Sequence, residues 1–148
     1  MQIRYIIFVL LIALSSNKIN SQEIKENWLP VLVNEEKSLY INVTGLFSSD
    51  GEEIDVWTLQ ELNAQINIEE INGDISQIKI NYLISKSLYR YSIKEMVFYD
   101  EKKNVLKSYR YKNPVGEAEY KYNYPIFEKS ELESIYNKCV EVLSKKEN

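Results

Sequence analysis

The sequence predicts an α+β domain, mainly an antiparallel β-sheet with one C-terminal α-helix packed on it. Three observations predict it. The middle of the chain alternates apolar and polar residues with a period of two, as in Ile78-Lys79-Ile80-Asn81-Tyr82. Turn-forming pairs, Asp50-Gly51 and Asn72-Gly73, punctuate those runs. Only the last stretch, from Ser130 onward, changes to helical spacing.

The chain opens Met1-Gln2-Ile3-Arg4, followed by an apolar run over residues 5–14 and then small and polar residues up to Ser21. These are the three parts of a secretory signal. The run is about half of the ~20 residues that span hydrocarbon, so residues 1–21 are expected to be a signal peptide whose cleavage leaves no membrane span, with an uncleaved anchor as the alternative. Cleavage after Ser21 leaves Gln22 first; cleavage after Ser15 is the alternative. Residues 22–148 then form a single domain, long enough to bury roughly two thirds of its unfolded surface.

Residues 28–33 and 39–41 read as two short strands around the turn Asn34-Glu35-Glu36, and residues 42–50 as a polar loop. In residues 53–59, Ile54 and Val56 point one way and Asp55 the other, which is a strand. Residues 60–72 fit neither period well. Asn72-Gly73 is the strongest hairpin signal in the chain. Strands then follow over residues 78–82, 89–99 and 105–111, the last two joined by the charged turn at residues 100–104. Asn113-Pro114 and Gly116 break the pattern, and residues 120–124 read as one more short strand before Pro125.

Ser130-Glu131-Leu132-Glu133 is a capping box. Leu132, Ile135, Tyr136, Cys139, Val142 and Leu143 recur behind it at helical spacing, and Lys145 and Lys146 suit the negative end of the helix dipole. That apolar stripe needs a partner, and one face of the sheet is the large apolar surface at hand.

Composition bounds the chemistry. Of the 18 basic residues, Arg4 and Lys18 leave with the signal, so the mature chain carries about −6 against its 22 acids. A nucleic-acid partner, which requires a basic face, is therefore not expected. Histidine is absent, which removes the commonest general base and zinc ligand. Cys139 is the one cysteine. On the apolar stripe it is expected to be a small buried hydrophobe, with an intermolecular disulfide, and hence a homodimer, as the alternative. Glu52-Glu53 and Glu69-Glu70 lack further ligands at metal spacing and read as solvated charges. No catalytic, metal or cofactor site is expected. Asn42-Val43-Thr44 matches a glycosylation sequon, a short match that carries little weight.

The candidate binding surface is the alternation Tyr109-Arg110-Tyr111-Lys112, echoed by Glu119-Tyr120-Lys121-Tyr122-Asn123-Tyr124. In a strand the tyrosines would face one side and the charges the other. The plain reading is a tyrosine-lined core face with solvated cations outside. The functional reading takes Arg110, Tyr111, Lys112 and Lys121 as a protein-binding patch, because Tyr and Arg are enriched at binding hot spots.

The order of residues resembles the surface-adhesin protein E family of small exported bacterial proteins. Trp28, Tyr40, Asn42-Val43-Thr44-Gly45-Leu46, Gly51 and Val56-Trp57-Thr58-Leu59 follow the family's order with similar spacing. Phe98-Tyr99-Asp100 with Val105-Leu106 looks like its late hairpin, and Pro125-Ile126, Ser130 and Cys139 like its closing segment. The family often bonds that last cysteine to an earlier one. Here Tyr82-Leu83-Ile84-Ser85 holds none, so packing must replace a staple often worth 2–4 kcal/mol. Asn42 also stands where the family has an acid. The resemblance implies a sheet with a helix packed on it, in a protein of the bacterial periplasm or cell surface. Export, the missing catalytic groups and the Tyr/Arg/Lys alternation lead to the expectation of a non-catalytic binding protein with a protein or extracellular-matrix ligand. To this the resemblance adds an adhesin-like role. The alternative is a periplasmic inhibitor or immunity-type protein whose acidic surface meets a basic toxin or hydrolase.

Overall fold

The computed structural model describes residues 25–49, 51–112 and 121–146. The expected signal peptide, Asp50, the break at Asn113-Pro114 and Gly116, and Tyr120 lie outside the described residues.

Among the described residues, eight strands form one antiparallel sheet: β1 (Trp28–Val33), β2 (Lys37–Asn42), β3 (Phe47–Ser49), β4 (Glu53–Ile66), β5 (Ile75–Ser85), β6 (Arg90–Tyr99), β7 (Val105–Arg110) and β8 (Tyr124–Pro125). The helix α1 (Glu131–Lys146) closes the chain. The main path runs β1-β2-β4-β5-β6-β7. Two short strands sit beside the ends of long ones: β3 pairs with residues 53–55 of β4, and β8 with residues 90–91 of β6. The expected α+β class, mainly antiparallel sheet with one terminal helix, is therefore the observed architecture.

The turns follow from their residues. Asn34 accepts the backbone N–H groups of Glu36 and Lys37 on Oδ1, each at 2.9 Å, which fixes the β1–β2 turn. Asp100 accepts the Asn104 backbone N–H at 2.7 Å and the Asn104 amide at 2.8 Å, closing the β6–β7 turn. These bonds, the side-chain amide first, hold the Asp100 carboxyl below the usual carboxylate range.

Three expectations change. The stretch read as a loop contains β3, which at three residues is too short for alternation to show. The ambiguous residues 60–66 continue β4, because their backbone is engaged even where their side chains are polar: Gln60 and Glu61 pair with both β2 and β5, and Asn63 donates its N–H to the Glu36 carbonyl. Gly73 consequently belongs to an eight-residue connection (67–74) and not to a two-residue turn. Its φ of +113° suits glycine, and a Cβ there would stand 3.0 Å from a Leu106 methyl. Finally, of the strand expected over residues 120–124, residues 121–123 are not strand and Tyr124 opens the two-residue β8.

One face of the sheet is the core. Leu39 and Ile41 of β2, Ile54 and Val56 of β4, and Ile80, Tyr82 and Ile84 of β5 are buried against Ile135 and Cys139 of α1. Register explains the continuity, since Ile54 is opposite Ile84 and Val56 opposite Tyr82, so like faces like across the strands. Phe98, Ile75 and Ile71 form a second cluster, with Ile78 and Met96 packed against it as well as against the first. Tyrosines close the rim: Tyr82 meets Tyr91 edge-on at 5.6 Å, and Tyr89 meets Tyr136 at 5.3 Å.

The helix starts as the capping signature predicts. Ser130 Oγ accepts the Glu133 N–H at 3.1 Å. The return bond shifts by one residue, with Glu133 accepting the Lys129 N–H at 2.6 Å and the Tyr89 hydroxyl at 3.0 Å. An ion pair of 2.5 Å joins Glu131 to Lys37, tying the first turn of the helix to β2. At the other end Glu141 pairs with Lys138 and Lys145.

Candidate functional site

The helix covers one face of the sheet, and side chains of the opposite parity face the other way. Across four strands the register aligns Trp57, Asn81, Glu95 and Arg110 in one row on that open face. Asp55 stands two residues from Trp57 on the same side of β4.

A bulge in β6 completes the arrangement. Asn81 is opposite Glu95 while Tyr82 is opposite Ile93, so Lys94 is an extra residue in β6. Ile93 and Met96 pack on the core, which leaves both Lys94 and Glu95 for the open face. Lys94 forms an ion pair with Asp55 from there. Its carbonyl accepts the Tyr111 N–H at 2.9 Å, which holds the residue after β7 against the same spot.

Together these residues line a groove of about 340 Å³ with Asp55, Trp57 and Asn81 on the inner strands, Lys94 and Glu95 on β6, and Arg110 and Tyr111 at the end of β7. The polar groups are mutually fixed. Asn81, 3 % exposed, donates to Asp55 Oδ1 at 2.7 Å and to the Val56 carbonyl at 3.3 Å. Arg110 donates to Glu95 Oε2 from Nη2 at 3.1 Å and from Nε at 3.3 Å. The two acids and two bases of the groove thus cancel in pairs. Tyr111 remains 48 % exposed and the Arg110 side chain 79 %.

A second constellation lies on the same face. Lys79 Nζ stands 5.3 Å from the Trp28 ring centroid and 5.8 Å from that of Tyr99, and reaches both oxygens of Glu26 at 2.8 and 2.9 Å. This cation–π and ion-pair cluster fastens the start of the domain to β5. Asn42 is used nearby for structure: 8 % exposed, it accepts the Thr44 N–H at 3.0 Å. Its amide oxygen is committed to that turn.

The predicted patch divides. Arg110 and Tyr111 line the groove. Lys112 follows them, exposed, beyond the end of β7. Lys121 does not line the groove: it pairs with Glu53, two residues along β4 from Asp55 on the same side, and its carbonyl accepts the Ser92 hydroxyl. Tyr122, 2 % exposed, also bonds Glu53. Lys121 and Tyr122 together hold the Glu53 carboxyl below its usual range, while burial and Glu53 push the Tyr122 phenol up. That cluster anchors the segment before β8. The expected split of tyrosines and charges holds for Tyr109, packed edge-on against Phe98, and for Arg110 on the open face. It fails at Tyr111, because the strand has ended and Tyr111 lines the groove beside Arg110.

Sequence reasoning missed Asp55, Trp57, Asn81, Lys94 and Glu95. Their signal was the polar side of the period-two strands, in particular Asp55 and Trp57 facing away from Ile54 and Val56. Nothing in the sequence marked the bulge at Lys94. Cys139 is fully buried, and that burial pushes its thiol up to about 12. Among the described residues no helix is long and apolar enough to cross a membrane. No family model, no curated protein and no solved structure matches the chain.

Proposed function

We propose that this chain is an exported bacterial envelope or surface protein, non-catalytic and adhesin-like, whose open sheet face binds a macromolecular ligand, either a protein or a component of extracellular matrix. The observation that carries this reading is the asymmetry of the sheet. One face is committed to the helix and core, whereas the other presents a groove bounded by Trp57, Arg110 and Tyr111, residue types that dominate binding hot spots. The signal-like residues 1–21 and the ordered resemblance to surface-adhesin protein E proteins support export and the adhesin-like role. The shortage of catalytic side chains, with no histidine in the chain, favours binding over turnover.

Binding of the mature protein to a panel of purified extracellular-matrix proteins, measured by surface plasmon resonance, tests the reading. The double variant Arg110→Ala/Tyr111→Ala is expected to weaken binding at least about tenfold. Unchanged affinity in a folded variant removes this face from the mechanism. N-terminal sequencing of the protein recovered outside the cytoplasm tests the export half, with Gln22 as the expected first residue.

A further inference from the structure

We infer that the groove on the open face is a saccharide site, and that the ligand is an uncharged glycan. This rests on the proposal that the open face is the binding face, and it names what that face recognises.

Four properties of the groove point there. Its charges balance in pairs, Asp55 with Lys94 and Glu95 with Arg110, so the groove carries no net charge that would select an anionic or a cationic ligand. Its lining is mixed, with charged and amide groups beside the aromatic Trp57 and Tyr111, which suits a ligand that is itself amphiphilic better than a purely apolar one. Its volume of about 340 Å³ is at the lower end of small-ligand sites, on the order of one or two sugar rings. Finally, its carboxylates are held in place. Asp55 is fixed by Asn81 and Lys94, and Glu95 by Arg110 at a single oxygen.

A neutral sugar ring has the complementary chemistry. Each hydroxyl both donates and accepts, and so needs both kinds of partner within one small site. Lys94 and Arg110 supply donors. The carboxylates accept, and each has roughly four lone-pair positions, of which the bonds above use only some. The C–H faces of the ring are weakly electropositive and suit the electron-rich faces of Trp57 and Tyr111. The site is preformed, because Asn81 and the Lys94 bulge belong to the interior of a continuous sheet.

The test is titration of the mature chain by NMR and calorimetry with neutral tetrasaccharides (chitotetraose, cellotetraose and maltotetraose). A heparin-derived tetrasaccharide and sialyllactose serve as charged counterparts. The expected result is saturable binding of at least one neutral sugar, with shifts at the Trp57 indole and the Arg110 and Tyr111 amides. Trp57→Ala and Tyr111→Ala should each weaken it at least about tenfold. Tyr111 lies outside any strand and is half exposed, so its variant tests the site even if Trp57→Ala unfolds. Binding of the charged sugars alone overturns the inference. So does the absence of all sugar binding alongside matrix-protein binding that depends on Arg110 and Tyr111, an outcome that leaves the open-face reading intact. No binding of sugar or protein at this groove overturns both.

Discussion

At the scale of single residues, much of the chain's polar chemistry is structural. Glu53 accepts bonds from Lys121 and from Tyr122, both on Oε1, and so anchors the segment that leads into β8. Glu53→Gln is expected to cost about 1–2 kcal/mol, the range for charge-assisted bonds discounted for partial exposure, read as a lower urea midpoint. The pH dependence follows from the direction of the shift. The folded carboxyl titrates below its ordinary value of 4.5, so its contribution is complete above that value and is lost as pH falls through the lower folded one. Over about pH 6 to pH 3, the wild type should therefore lose more stability than Glu53→Gln. Equal slopes would mean that Glu53 is not paired in the folded state. Cys139 gives a second prediction. Fully buried and with its thiol pushed up to about 12, it should resist a thiol reagent near neutral pH until the protein unfolds. Rapid labelling of native protein, or a disulfide-linked dimer under oxidation, would show that the helix leaves the sheet. The burial of Cys139 was legible in the sequence from its place on the apolar stripe. The Glu53 cluster was not, because its partners lie 68 and 69 residues away.

At the scale of elements, legibility followed local signal strength. The helix announced its start with Ser130 and its core face with Ile135 and Cys139, and the structure keeps both. Ser130→Ala should cost about 0.5–2 kcal/mol. A drop in helix content confined to the first turn, with the sheet unchanged by amide exchange, would match the loss of that cap. An unchanged melting temperature would mean that the Lys37–Glu131 pair and packing fix the helix start instead. The hairpin between β6 and β7 was legible because Asp100 and Asn104 close it locally. The second half of β4 was not, since Gln60, Glu61, Asn63 and Ala64 have no apolar alternation: Gln60 and Glu61 are strand through pairing to β2 and β5, and Asn63 and Ala64 fall in the register shift between Glu61 and Ile66. The bulge in β6 is the element-scale feature that matters most for the site. It places Lys94 and Glu95 together on one face, an outcome set by register between distant strands and invisible in any short window.

At the scale of the whole molecule, one sheet separates two environments. Beneath it, aliphatic rows from β2, β4 and β5 meet the stripe of α1 and supply the packing that no disulfide provides. On the other side, Trp57, Asn81, Glu95 and Arg110 cross four strands in a row, with Asp55, Lys94 and Tyr111 beside them. The sequence made the two-sided sheet readable through period two. It pointed to Arg110 and Tyr111 for their residue types, but joined to them a lysine, Lys121, that the fold places with Glu53. The free side of the sheet is the surface proposed to meet the ligand. Hydroxyl-radical footprinting of the protein alone and saturated with a ligand that it binds tests this most directly. Protection is expected at Trp57 and Tyr111, with Val140 and Lys145 on the outer side of the helix unchanged. Protection of the helix with Trp57 and Tyr111 unaltered would contradict it.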